Sequence, residues 1–387
     1  MTTQTKTSAA LDLKTLYQGF RDPLVIKALA EKIFAKAKHL EQPIKVMEVC
    51  GGHTHTIMKY GLSQLLPDNI TFIHGPGCPV CVMPKERIDN AIELAMLPNT
   101  ILVTLGDMIR VPGSKGTLAQ CRAKGFDVRP IYDPLDTLSI ARDNPSKNVI
   151  YFAIGFETTT PMSAILIELA EQQNITNLYL HCNHVLVPPA IDAVMSDGRA
   201  KVNAFIGPSH VSVITGAGIY QSVAKRYQLP VVVAGFEPVD MMESLLMLVE
   251  LTLQAQRDSR TEIEPVAIQY TRAVTMEGNS LAIQKVNQYF ERRAQFRWRG
   301  LGDIADSALK LRAEYAHRDA ELVFHYALSN QPLNDHKACQ CGDILRGIAK
   351  PSDCKVFGRN CTPNNPMGSC MVSSEGACNA YFRYLGV

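Results

Sequence analysis

Three stretches of this 387-residue chain crowd together side chains that do chemistry. "EVCGGHTH" at 48–55 sets Cys50 two glycines ahead of His53, with His55 close behind; "GPGCPVC" at 75–81 puts Cys78 and Cys81 in a C-x-x-C; and 339–378 carries Cys339, Cys341, Cys354, Cys361, Cys370 and Cys378. The glycines of the first stretch suggest a phosphate cradle. Yet a Walker loop ends in Lys and Ser/Thr, and a dinucleotide fingerprint reads G-x-G-x-x-G; neither is present. A Cys–His nucleophile pair stays formally open, though it needs an orienting Asn or Asp as well. Clustered thiols beside histidines also suit metal or redox chemistry.

The C-x-x-C is followed by the helix-like "PKERIDNAIELAML". A helix N-terminus nearby lowers a thiol from ~8.5 towards 7, so the pair reads as a redox dithiol; half of a zinc site is the other reading, with no second C-x-x-C to complete it. Four of the six late cysteines suffice for a 4Fe–4S cluster, and their loop-rich, Pro-bounded spacing is compatible with wrapping one. Two thiols remain, and beside a cluster they could exchange electrons with it as a dithiol/disulfide. A tetrathiolate zinc module with spectator cysteines is the alternative.

Composition sets the frame. With 46% hydrophobic and 20% charged residues the chain reads as globular, and its length favours two or three domains. The 39 basic and 37 acidic residues are interspersed, which gives no electrostatic case for nucleic acid or an anionic membrane. The start lacks a signal-peptide layout and no stretch approaches the ~18 apolar residues of a membrane span, so a cytoplasmic protein is expected. Eleven cysteines in a reducing compartment then point to metal or redox roles rather than structural disulfides.

The elements that must position these residues follow a rhythm. Short β-rich apolar runs such as "IKVMEV", "ITFIHG", "TILVTLG", "NVIYFAIGF", "AFIGP" and "LPVVVAGF" alternate with helix-like stretches. Strands buried on both faces and separated by helices predict parallel α/β sheets. The "DNPSKN" turn at 143–148 is a plausible seam, which predicts a first α/β domain over 1–147, a second over 148–260, and a cysteine-rich iron–sulfur region over 261–387. Ligands gather at the carboxyl ends of parallel strands. That layout collects Cys50, His53, His55, Cys78, Cys81, Asp107, Glu157, His210 and Glu237 around a cleft.

"MEVCGGHTHTIMKYGL", "FIHGPGCPVCVMP", "GFETTTP", "VAGFEP" and "GSCMVSSEGAC", in this order from about residue 20 to the end, resemble the HypD hydrogenase maturation factors. The resemblance implies assembly of the Fe(CN)2CO unit of [NiFe]-hydrogenases, on a scaffold formed with the small chaperone HypC. Cyanide would come from HypE, and the hydrogenase large subunit would receive the unit indirectly. The family's C-x14-C-x6-C-x16-C pattern falls on Cys339, Cys354, Cys361 and Cys378 as 4Fe–4S ligands, leaving Cys341 and Cys370 as a redox pair. Cys50 becomes the thiolate of a transient mononuclear iron carrying CN and CO, His53 its neighbour, and Cys78 with Cys81 the facing dithiol. The chain would be a redox-active assembly factor rather than a free-standing metabolic enzyme. A ferredoxin-type protein-disulfide reductase is the rival function.

Ordinary roles stand beside these. Cys121 and Cys182 lie outside every cluster, and a buried free thiol behaves as a small hydrophobe. The Thr run before Pro161 caps a helix without catalytic purpose. Glu157 and Glu375 need partners if buried. Cys341 spaces to Cys354, as C-x12-C, just as readably as Cys339 does, so Cys339→Ser is the deciding variant. It is expected to lose the cluster's visible absorption, and an unaltered spectrum would move the ligand to Cys341.

Overall fold

The computed structural model describes residues 18–257, 265–329 and 331–385. Nine parallel-paired strands form two sheets. The first, in the order β2-β1-β7-β8-β9, contains β1 (Ile44–Glu48), β2 (Ile70–His74), β7 (Ala204–Pro208), β8 (Val231–Ala234) and β9 (Val266–Ile268). The second, β4-β3-β5-β6, contains β3 (Thr100–Leu105), β4 (Val128–Ile131), β5 (Asn148–Gly155) and β6 (Leu178–His184).

Both faces of each sheet are buried, and the period-2 pattern shows how. Along β5, Ile150, Phe152 and Ile154 join a central core between the sheets, while Val149, Tyr151 and Ala153 join an outer one under the helix Thr160–Gln172. On β8, Val231 and Val233 face the same central core, and Val232 and Ala234 face the helices Pro23–Ala37 and Pro238–Arg257. One apolar layer therefore binds the two sheets together. It also takes in Cys78, Cys81, Cys341, Cys354, Cys361, Cys370 and Cys378.

The expected sequential division at 143–148 is corrected by the strand pairing. Asn148–Gly155 pairs in parallel with Thr100–Leu105, so the "DNPSKN" turn is an ordinary helix-to-strand loop inside the second sheet. Its Lys147 is tied to Asp127 and the Asn148 N–H to Asn99 O. The chain begins the first sheet, builds the whole second sheet, then returns to finish the first with β7, β8 and β9. Residues expected in the C-terminal region also serve the sheets: Val266–Ile268 is β9, and the helix Ser280–Tyr289 packs on Thr160–Gln172. The cysteine-rich remainder has short helices and turns, ending in the helix Ala377–Tyr384. No helix among the described residues is long and apolar enough to cross a membrane.

A buried ion cluster fixes the helix that follows the C-x-x-C motif. Arg87 on the helix Lys85–Met96 forms a bidentate pair with Glu321, which also binds Arg293, while the Arg87 Nη2 group donates to Cys182 O at 3.0 Å. Burial opposes ionisation of Glu321, but Arg87 and Arg293 outweigh it and hold the carboxyl well below its usual range. Glu321→Ala strands two guanidinium groups. The expected loss is about 2–3 kcal/mol, below the 3–5 of a fully enclosed pair because the Glu321 side chain keeps 19% exposure. A depressed carboxyl contributes above its unfolded-state pKa and ceases to as pH falls towards the folded one. Urea midpoints should thus separate wild type from variant at neutral pH and converge in acid.

Candidate functional site

The Cys50 turn is built by three close approaches. Cys50 lies two residues past β1 and caps the helix Gly51–Lys59, whose N–H groups from Gly52 and His53 face its thiol. Gly77, in the loop after β2, lies so close that a Cβ there would overlap the backbone of Val49 and Cys50; its carbonyl accepts the Gly51 N–H at 2.9 Å. Gly51 rests on Glu375, and Gly52 on the ring of Phe236. The glycines admit neighbouring chain segments, in keeping with the absence of a phosphate-loop signature. Loops from β1, β2, β8 and the C-terminal segment thus meet at one thiol.

A buried carboxylate holds this turn. Glu48 stands beside His74 in the β1–β2 register, accepts from His74 Nδ1 at 2.7 Å and from Thr54 Oγ1, and takes the Cys50 N–H at 2.9 Å. Burial raises its pKa, and these donors oppose the rise. Burial also pushes the Cys50 thiol up, as do Glu375 and Glu48. The His53 ring turns the other way: its Nε2–H donates to Ala234 O at 3.1 Å, it packs on Phe236, and burial lowers its pKa to about 4, so it is neutral.

From the neighbouring Cys78 a line of sulfurs runs into the C-terminal segment. The Cys81 thiol lies within hydrogen-bonding reach of Cys78 and Cys370. Cys370 in turn reaches Cys341 and Cys378, and Cys341 reaches Cys339. Ser369 Oγ donates to Cys81 O, locking the turn Ser369–Met371 onto Pro79–Val82. Thiol donors on Cys341, Cys378 and Cys81 pull Cys370 well below the usual thiol range, whereas Cys81 is driven up. That reverses the lowering expected for Cys81 in the C-x-x-C. The helix carrying it is only Pro79–Val82, and the longer helix starts at Lys85, too late to act on it.

All eleven cysteines are free, and only Cys50 and Cys339 are more than slightly exposed. Cys361 is an electrostatic neighbour of Cys339 and Cys341, the Met367 N–H donates to its sulfur at 3.4 Å, and Cys354 lies 3.8 Å from Ala338 O. A Cβ at Gly368 would stand 2.7 Å from the Cys339 sulfur and 3.0 Å from that of Cys341. Soft sulfur donors and an N–H···S bond are the chemistry that holds an iron–sulfur cluster. Among the described residues no three His, Cys, Asp or Glu converge tightly enough to hold a single metal ion.

The family model HypD, described as "Hydrogenase formation hypA family", matches residues 24–385. The chain belongs to this family. Hydrogenase maturation factor HypD2 of Bradyrhizobium diazoefficiens is 49% identical over 372 residues, 94% of this chain and 95% of its own. HypD of Azotobacter vinelandii is 48% identical over 371 residues, covering 94% and 95%, and HypD of Escherichia coli 42% over 369, covering 94% and 96%. As a HypD family member, the chain is a hydrogenase maturation factor.

Not every residue expected at the cleft joins it. Glu237 pairs with Arg21, and His55 packs edge-on against Tyr384. His210 packs at a tilt against the Phe236 ring that also carries His53, and Asp107 meets Ser373 Oγ beside Glu375. Cys121 and Cys182 sit apart, the latter with its thiol donating to Leu309 O at 3.2 Å. Sequence reasoning missed Glu48, His74, Thr54 and Ser369. The one available signal was a carboxylate inside the apolar run "IKVMEV". Mild oxidation with peptide mapping is expected to link Cys81 to Cys78 or Cys370 while Cys121 and Cys182 stay free; a bridge to either would contradict the sulfur line.

Proposed function

We propose that this chain is the scaffold on which the Fe(CN)2CO unit of [NiFe]-hydrogenase is assembled, holding the iron through Cys50 together with HypC while HypE supplies cyanide. The observation that carries this reading is the sulfur line. It starts beside a partly exposed Cys50 at the strand ends and leads through buried thiols to Cys339. The iron is the cargo, and Cys50 suits it: crowded by Glu48 and Glu375 the thiol keeps its proton until a cation displaces it, and the carboxylates then favour the bound metal.

A 4Fe–4S cluster on Cys339, Cys354, Cys361 and Cys378 would supply single electrons to this region. The chain's own thiols handle pairs. Beginning with a Cys78–Cys81 disulfide and reduced Cys341 and Cys370, the Cys370 thiolate attacks the Cys81 sulfur, and Cys78 leaves and takes up the proton Cys370 lost. Cys341 then gives up its proton and attacks Cys370, releasing Cys81 as a thiol. One S–S bond replaces another while two electrons and two protons pass towards the Cys50 turn. The rival reductase reading requires a nucleophile that a foreign disulfide can reach. Cys78 is 3% and Cys81 1% exposed, which favours the scaffold.

Infrared spectra of the anaerobically isolated complex with HypC test this. CO- and CN-stretching bands are expected and should vanish in Cys50→Ala; a maturation-competent complex without such bands would sink the reading.

A further inference from the structure

Cys339, the second partly exposed thiol, opens on a cavity that nothing above employs. The other late cysteines, Cys341, Cys354, Cys361, Cys370 and Cys378, are between 0% and 9% exposed. Cys339 lines a cavity of about 340 Å³, large enough for a small ligand. One wall is fixed. Trp298 there is fully buried with its Nε1–H on Ser307 Oγ at 2.9 Å, and the turn between the strands Gln295–Trp298 and Gly302–Ala305 presses on the helix Cys341–Leu345: a Cβ at Gly300 would stand 2.9 Å from the Gly342 Cα. Another wall is a strap, Leu333–Asp335, held by polar contacts. Lys85 Nζ donates to Asn334 O at 3.3 Å, Arg297 Nη2 to Asn334 Oδ1 at 3.1 Å, and Arg299 Nε to Asp335 Oδ1 at 2.9 Å. Asn334 is exposed, so water replaces its bonds at little cost and the strap lifts more easily than the hairpin opposing it.

The four thiols read as cluster ligands are held separately. Cys354 Sγ lies 3.8 Å from Ala338 O, Cys361 Sγ takes the Met367 N–H at 3.4 Å, and Cys378 sits in the first turn of the helix Ala377–Tyr384. Among the described residues no three such groups converge on one point, so the ligands have to engage in sequence, and exposure places Cys339 ahead of the rest. Charge favours arrival from this side as well. A 4Fe–4S core bearing four thiolates is an anion, and along the cavity Lys85, Arg297 and Arg299 outnumber Asp335 and Asp343.

We propose that the cavity beside Cys339 is the entry port for a preformed 4Fe–4S cluster brought by a carrier protein on its own thiolates, with Cys339 the first thiol to engage as the Leu333–Asp335 strap lifts. The inference rests on the reading of Cys339, Cys354, Cys361 and Cys378 as cluster ligands. At each step a cysteine gives up its proton and its sulfur bonds to iron, while an Fe–S bond to a carrier thiolate breaks and that thiolate takes the proton. No atom changes oxidation state.

Stopped-flow absorbance tests this on the full-length chain before cluster loading, mixed anaerobically with a synthetic Fe4S4 cluster carrying 2-mercaptoethanol thiolates. Wild type is expected to show an early phase whose rate rises with probe concentration and a later one whose rate does not. Cys339→Ser should slow the early phase about tenfold or more, since a hydroxyl is a poor ligand for this iron. Cys378→Ser should leave the early phase unchanged and lose the later one. Asn334→Ala removes an acceptor of Arg297 and should speed the early phase about threefold, the worth of one exposed polar contact; unchanged kinetics there would overturn the strap's part. An early phase slowed equally by Cys378→Ser and Cys339→Ser, or a wild type that loads from ferrous iron and sulfide and never from the probe, would overturn the port and leave the cluster ligands standing. A wild type that loads by neither route would overturn the ligand assignment, and this inference with it.

Discussion

The contact between the turns Pro79–Val82 and Ser369–Met371 is the constraint on which the rest of the site depends. It joins residues 288 positions apart through the Ser369 hydroxyl on Cys81 O, and it brings the Cys81 and Cys370 sulfurs together. The contact lies in the apolar layer shared by both sheets, where water cannot compete for these groups. A second clamp follows from the first. Just after that turn the chain sets Glu375 on Gly51 and lays the helix Ala377–Tyr384 along the helix Gly51–Lys59. The cysteine-rich segment has little core of its own, so its order is borrowed from the strand ends it covers.

At the opposite side of the Cys50 turn, precision comes from a carboxylate rather than from packing. Glu48 is fully buried and meets three donors, His74, Thr54 and the Cys50 N–H, each from a different position along two neighbouring strands and the helix that follows. An apolar residue there would be cheaper in desolvation. It would leave the Cys50 amide and the His74 ring without acceptors, and the register of β1 on β2 would lose its polar lock. His53 shows the contrast. Its Nε2–H is spent on Ala234 O, its Nδ1 has no partner among the described residues, and its ring braces Phe236.

Much of this was legible in the residues. Runs such as "NVIYFAIGF" are apolar at every position because both sheet faces are covered, and that is a local property a sequence displays. Strand order is not local. "AFIGP" and "NVIYFAIGF" look alike as buried strands, and nothing in either says that the first returns to β1 while the second adds to β3. For the same reason the polar turn at 143–148 read as a seam. The thiol motifs were visible as spacings, but the neighbours that set their ionisation were not. Cys81 is governed by Cys370 from across the fold and by Cys78 beside it rather than by the helix that follows it. Ser369 carried no signal, since a serine in a Gly-Ser-Cys turn has many ordinary uses.

A line of thiols in an apolar core faces one physical difficulty. Thiolates are expensive there, so electrons can pass between neighbouring pairs only where negative charge is brief and locally stabilised. The arrangement meets this with a single favoured anion. With every thiol free, Cys370 receives three thiol donors, from Cys341, Cys378 and Cys81; with Cys81 in the disulfide and Cys378 on a cluster, the donor that remains is Cys341, its own partner in the second pair. Cys81 is pushed the other way, towards its protonated form. In the proposed relay the first attacking sulfur is therefore the one that best bears charge, and the sulfur released last, Cys81, is one that readily regains a proton. Such an exchange leaves the core electrically unchanged once complete. That is a reason for the pairs to abut one another inside the protein rather than to meet through solvent.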